Sequence, residues 1–186
     1  MSAPLIGLVG RKRVGKDTIA SRLVDKHGFR RFAFADLLRE AALGLDPIVV
    51  PAEPAWLSYR LSEIVARDGW EVAKELPEVR RTLQNYGVAI RQVDPDFWIR
   101  PVMSAVATRN SPAVITDVRF PNEADAVEAA GGLLVRVIRP GLDESDAHES
   151  EVALKDRATA FTIRNIRSIE HMFERSDRLF EALITT

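Results

Sequence analysis

The residues best equipped for chemistry stand together near the start of the chain. They are Gly10, Arg13, Val14, Gly15, Lys16, Asp17 and Thr18, in the run Gly-Arg-Lys-Arg-Val-Gly-Lys-Asp-Thr at 10–18. Gly, four residues, then Gly-Lys is the spacing of a phosphate-binding loop. Glycines let the backbone curl until several N–H groups point inward, a nest for phosphate oxygens. The helical pattern that opens at Lys16 adds the positive end of its dipole. Lys16 itself brings a mobile point charge for the outer phosphates of a nucleotide. The place after the lysine, commonly a Ser or Thr that holds magnesium, is Asp17 here, with Thr18 one residue on. The plainer reading, a Gly-rich strand-to-helix turn without a ligand, leaves the order of strand, loop, lysine and helix unexplained.

Further polar residues fall just past short apolar runs. Asp36 follows Phe29–Phe34, Asp117 ends Val114-Ile115-Thr116, Arg139 follows Leu133–Ile138, and Asn165 follows Ala160–Arg164. Open α/β sheets bind ligands at the carboxyl ends of their strands, so these residues share one expected address with Gly10. Asp117 has the place of a Walker B acid and would hold Mg²⁺, directly or through water, beside nucleotide phosphates. The alternative is a strand-end aspartate that caps a turn.

The elements needed to position these groups are legible as alternation. Short strand-like runs at about 4–9, 29–34 (with Arg on one side), 113–116, 133–138 and 160–164 are interleaved with helical patterns, the signature of an α/β fold with a parallel sheet. A P-loop three-layer sandwich of about five strands, with helices on both faces, is therefore expected. The first helix, about 16–26, puts Ile19, Ala20, Leu23 and Val24 on one face, and Gly28 closes it. Asp36 is expected to N-cap the second. Residues 46–58, with Pro47, Pro51 and Pro54, read as a loop. Helical patterns at 57–67, 77–90 and 96–107 then interrupt the alternation. This block, about 46–107, reads as an insertion between core segments 1–45 and 108–186. Asn122 and Ser168 are expected to cap the last two helices.

Composition narrows the classes. A chain of 186 residues with a hydrophobic share of 46% can build one full core. Net charge of −1 gives no global attraction to a nucleic-acid polymer or a membrane. The absence of cysteine removes disulfides, thiolate zinc sites and thiol catalysis together. The first residues lack the long apolar stretch of a signal peptide, and a cytoplasmic protein is expected.

The ordered set of motifs resembles the phage deoxynucleoside monophosphate kinases, within the wider nucleoside monophosphate kinase group. The residues that carry the resemblance are 10–18, Leu-Gln-Asn-Tyr-Gly at 83–87 with Phe97-Trp98, Asp-Val-Arg-Phe-Pro-Asn-Glu-Ala-Asp at 117–125, Val-Ile-Arg-Pro-Gly at 137–141, His-Glu-Ser-Glu at 148–151, and Asn165. The resemblance implies ATP-dependent phosphorylation of a deoxynucleoside 5′-monophosphate (dNMP), with Mg²⁺. It implies that Arg39 grips the acceptor phosphate, and that Arg80 and Gln84 hold acceptor phosphate and base, with Arg81 as competitor for Arg80. It places Asp36, Arg91 and Trp98 on the substrate as well, Asp36 orienting the sugar or the attacking oxygen. Whether Trp98 stacks on the base or belongs to the core stays open. Arg119 and Arg139 would reach the transferring phosphate, residues 140–157 would form a lid carrying His148 and Glu151, and Asn165 would frame the donor adenine. Nucleoside monophosphate kinases often lack Ser or Thr after the lysine, so Asp17 counts for this group. A homodimer is compatible with the sequence. The rival readings are another small-acceptor kinase, such as a dephospho-coenzyme A kinase, and a non-kinase nucleotide switch or ATPase. The chain has no Asn-Lys-x-Asp guanine motif, which disfavours a GTPase.

Overall fold

A computed structural model of the chain describes residues 3–52, 54–141, 153–166 and 168–185. In chain order its elements are β1 (Leu5–Val9), α1 (Lys16–His27), β2 (Arg30–Phe32), α2 (Phe34–Leu45), β3 (Ile48–Val50), a 3-10 turn at Ala55–Leu57, β4 (Tyr59–Arg60), α3 (Leu61–Ala73), α4 (Pro77–Val93), α5 (Ile99–Ala107), β5 (Ala113–Val118), α6 (Pro121–Ala129), β6 (Leu133–Ile138), β7 (Phe161–Arg164) and α7 (Ile169–Thr185). They form two compact units, Met1–Phe34 with Ile99–Thr186, and Ala35–Trp98.

The first unit is built on a five-stranded sheet of order β2-β5-β1-β6-β7, every pair parallel. A parallel sheet covered on both faces needs strands that are apolar throughout, and all five residues of β1 are buried. Ile6, Leu8, Val114, Val135, Val137 and Ile163 meet Ile19, Ala20 and Leu23 of α1 and Met172 and Leu179 of α7 in one core cluster. Each such aliphatic side chain contributes about 1.5–3 kcal/mol over its exposed state. The alternate residues face α6. At Gly7 an added Cβ would stand 3.0 Å from Val118, 3.1 Å from Leu134 and 3.2 Å from Val127, so the absent side chain is what lets α6 lie directly on β1. The result is the expected three-layer sandwich.

A carboxylate fastens α7 to α1. Asp177 accepts hydrogen bonds from Arg22 (3.0 and 2.9 Å) and Lys26 (2.7 Å), and its Oδ1 stands 2.7 Å from His27 Nε2. The Arg22 guanidinium above all holds the Asp177 carboxyl well below the usual carboxylate range. The His27 ring also stacks on Phe180 at 4.1 Å.

The unit 35–98 has its own small core of Ala42, Val49, Leu61, Ile64, Ala73 and Val79. Here the structure departs from the expected loop at 46–58. The β-branched run Ile48–Val50 pairs antiparallel with Tyr59–Arg60, because the prolines at 47, 51 and 54 flank the strand and do not interrupt it. Asp46, at φ 45°, accepts the Ser62 N–H at 2.9 Å and thereby caps α3 from outside the helix. That backbone donor lowers the Asp46 carboxyl pKa. The helix expected at 57–67 instead starts at Leu61 and runs to Ala73, with its break at Gly69 (φ 77°, ψ 166°). Among the described residues no helix is long and apolar enough to cross a membrane.

Candidate functional site

The loop at 10–15 turns on three positive φ angles, at Gly10 (148°), Arg13 (61°) and Gly15 (104°). An L side chain is strained in that region. Gly10 is also pressed against the end of β6, where an added Cβ would stand 2.4 Å from the carbonyl oxygen of Val137. Val14, 3% exposed, anchors the loop in the core. Gly15 is the N-cap of α1 and offers no side chain to its first amides, the groups a phosphate satisfies. Lys16 is buried, and its Nζ donates to the carbonyls of Gly10 (2.6 Å) and Arg11 (2.7 Å). The ammonium is thus curled back over the loop. Asp17 is exposed in the first turn of α1 and Thr18 is half-buried.

β5 and β6 flank β1 in the sheet, so Asp117 and Arg139 come to strand ends on either side of the loop. The register of β5 against β1 slips between Gly7 and Val9, a bulge at Thr116-Asp117 that re-aims the acid. Asp117 Oδ1 accepts the N–H of Phe34, the first residue of α2, at 2.9 Å. The cap of α2 is therefore Asp117, across 83 residues, and Asp36, expected to be the cap, lies inside the first turn. At α6 the expected cap, Asn122, is likewise already inside the helix, which begins at Pro121. Buried Glu123 takes the donors instead, accepting the N–H groups of Arg119 (2.7 Å) and Phe120 (3.1 Å). This fixes the backbone that carries Arg119, itself half-buried. A glutamate three residues past the N-cap is the sequence signal for it. Arg139 is exposed directly after β6.

Asn165, past the end of β7, donates from Nδ2 to the carbonyl of Val14 at 3.0 Å. The structure thus brings Asn165 onto the loop backbone. Most of the stretch 140–157 falls on residues 142–152, and His148 and Glu151 with it, outside the described residues.

In the unit 35–98, Arg39 donates to Asp36 at 3.2 Å, and its guanidinium stands 5.9 Å from the Trp70 ring centre. Arg80, Gln84, Gly87 and Arg91 recur at helical spacing along one stripe of α4. α2 meets that stripe at Gly87, where an added Cβ would stand 3.2 Å from Leu38 and 3.8 Å from Arg91 Nη1. Arg80 and Gln84 are exposed. Arg80 pairs with Glu75 at 3.4 Å, and Arg81 with Glu78 at 2.7 Å. Trp98 is buried, edge-on to Tyr86 (6.0 Å) and Phe97 (4.8 Å). Its indole N–H has no hydrogen-bond partner among the described residues.

Residues 56–176 match the deoxynucleotide monophosphate kinase family, and the chain belongs to it. The matched span begins after the Gly10–Thr18 loop. A putative deoxynucleotide monophosphate kinase of Acanthamoeba polyphaga mimivirus is 28% identical, over 91% of this chain and 92% of its own length. The deoxynucleotide monophosphate kinase of Enterobacteria phage T4 is 26% identical, over 56% of this chain and 46% of its own. Among solved structures, a dephospho-CoA kinase from Campylobacter jejuni superposes with a TM-score of 0.54 at 14% identity, covering 97% of both chains. A shikimate kinase from Acinetobacter baumannii does so with 0.50 at 13%, covering 98% of this chain and 94% of its own. At such identities these two speak for the fold alone.

Proposed function

We propose that this member of the deoxynucleotide monophosphate kinase family transfers the γ-phosphoryl group of ATP to the 5′-phosphate of a deoxynucleoside monophosphate. An oxygen of the acceptor phosphate attacks Pγ, the bond from Pγ to the bridging oxygen breaks, and ADP leaves with that electron pair. The observation that carries the reading is the Gly10–Thr18 loop, three positive φ angles with Lys16 folded over them, in a chain of this family.

The reaction asks for positioning and charge neutralisation more than for covalent chemistry. In this proposal the amides that open α1, with Lys16, Asp17 and Thr18, receive the donor phosphates. Lys16 exchanges the carbonyls of Gly10 and Arg11 for phosphate oxygens, a stronger charge-assisted contact. Arg119 and Arg139 neutralise the transferring group. Asp36, Arg39, Arg80, Gln84 and Arg91 hold the monophosphate, the arginines because their planar forks engage phosphate in a bidentate way. No strong general base is needed, since the acceptor phosphate is largely ionised near neutral pH.

Magnesium fits the residues present. Among the described residues no group of three or more His, Cys, Asp or Glu could hold an ion by itself. One or two carboxylates completed by phosphates and waters is what Mg²⁺ takes in such sites, and in this proposal Asp117 and Asp17 would supply them. When bound, the ion would neutralise charge on the donor phosphates.

A coupled ADP-release assay against a panel of deoxynucleoside and ribonucleoside monophosphates, with dephospho-coenzyme A included, tests the reading. Stimulation by at least one deoxynucleotide is expected. ADP release that no deoxynucleotide raises above the acceptor-free background would refute it.

A further inference from the structure

Asn165 is tied into the molecule at both its backbone and its side chain. Its main-chain N–H donates to the carbonyl of Ile138 at 2.7 Å, which fixes the residue beside the end of β6. Its side-chain Nδ2 donates to the carbonyl of Val14 at 3.0 Å, across 151 residues of sequence. The approach is close: a Cβ on Gly15 would stand 2.9 Å from that same Nδ2 and 3.2 Å from Cε of Met172. Val14 is thus held at two points, its side chain in the core and its carbonyl on Asn165.

The Val14 carbonyl and the Gly15 N–H belong to one planar trans peptide, so the two groups point in opposite directions. Whatever holds the carbonyl aims the N–H. With the carbonyl drawn toward Asn165, the Gly15 N–H points the opposite way; in a phosphate-binding nest such amides are the groups that receive an anion. The left-handed φ of Gly15 (104°) is what lets the chain continue into α1 from that plane.

We propose that Asn165 is a positioning residue for the donor phosphates. It aims the Gly15 amide by holding the Val14 carbonyl, and it does so whatever the nucleobase of the donor. This goes beyond an adenine-framing role, and it rests on the reading that the Gly10–Thr18 loop binds phosphate.

The experiment measures binding of inorganic tripolyphosphate, ATP and GTP to the whole chain and to Asn165→Ala and Asn165→Leu, the second of which keeps the branching of the side chain and removes the donor. Both variants should bind tripolyphosphate and ATP about tenfold more weakly, the two ligands falling together, with the ATP-to-GTP ratio unchanged. In turnover, KM for ATP should rise while KM for the monophosphate holds. Weaker ATP binding with tripolyphosphate binding intact would assign Asn165 to the base and overturn the proposal. Unchanged binding of both ligands would overturn it too, as would a lowered melting temperature with both KM values raised alike. If the unsubstituted chain binds neither ATP nor tripolyphosphate, the phosphate-loop reading itself fails, which is a separate result from failure of the Asn165 contact.

Discussion

Replacing Gly10 by alanine puts the phosphate loop under a defined load. The new Cβ would stand 2.4 Å from the Val137 carbonyl oxygen, and a relaxed carbon–oxygen contact is longer than about 3 Å, so something must move by more than half an ångström. Val137 is main chain in β6, which pairs with β1 on one side and β7 on the other, so the strand yields only by loosening two ladders. The backbone conformation adds its own strain, because φ 148° is a region that alanine avoids. That strain is worth about 1–3 kcal/mol, and overpacking about 1–3 kcal/mol more. Taken as about 4 kcal/mol in all, it lowers the melting temperature by about 8–16 °C in a chain of this size. The alternative relief is for the loop to swing off β6, which protects stability and destroys the phosphate nest. Either way ATP and tripolyphosphate binding should be lost. Gly28→Ala is the matched control. Gly28 has φ 69°, and nothing stands within 4 Å of an added Cβ, so only the left-handed strain of about 1 kcal/mol applies. It should melt about 2–4 °C low and bind ATP normally. A Gly10→Ala protein that melts like the Gly28→Ala control and binds tripolyphosphate like the parent would show that Gly10 is not wedged against β6.

Lys16→Ala should lose at least about a hundredfold in kcat, the usual effect of removing one charged donor from a developing anion, with the melting temperature within a few degrees of the parent; full activity would exclude Lys16 from phosphate binding. Arg39→Ala should raise KM for the monophosphate about tenfold or more while leaving ATP affinity in place, and equal loss toward both substrates would argue against an acceptor role. Asp177→Asn probes stability against pH. The folded pKa of Asp177 is lowered, so its contribution is complete above the unfolded value near pH 4 and is lost as pH falls below that. At pH 7 the variant should be about 2 kcal/mol less stable in urea, since it leaves Arg22, Lys26 and His27 without their carboxylate. Its deficit should shrink on acidification below about pH 4, and a deficit that stays constant down to pH 2 would refute the linkage.

What could be read in the sequence was what acts locally. The loop at 10–18 declares itself because its glycines, lysine and following helix are contiguous, and spacing alone encodes the nest. The central strands β1, β5 and β6 are legible as apolar runs, since strands buried on both faces leave no polar alternation to confuse them, whereas the edge strands β2 (Arg-Arg-Phe) and β7 (Phe-Thr-Ile-Arg) are mostly exposed and mixed in character. The pair Ile48–Val50 and Tyr59–Arg60 was hidden for the opposite reason: strands of three and two residues carry too few positions to show a period, and the prolines around them signal a loop. The break in α3 falls at Gly69, where glycine takes a positive φ of 77° that other residues avoid.

The helix starts show where such reading runs out. Sequence rules look for a cap in the residue next door, hence Asp36 for α2 and Asn122 for α6. The structure satisfies the Phe34 amide from Asp117, the Ser62 amide from Asp46, and the Arg119 and Phe120 amides from Glu123. Only the last of these lies within a turn of its helix start, and only it left a pattern to find. The same holds for Asn165 on Val14 and for Asp177 on Arg22, contacts that span 151 and 155 residues. Each joins a strand end or helix face to a partner that only the register of a parallel sheet brings near. Asp117 combines both cases. Its position at the end of a buried strand announces an acid beside the phosphate loop, while the bulge that turns it and the amide it holds depend on β1, β5 and α2 together. The structure shows the capping role of Asp117, whose Oδ1 holds the Phe34 amide and fixes the direction of the carboxylate; the ion-holding role belongs to the proposed function, where a ligand of fixed direction would serve it.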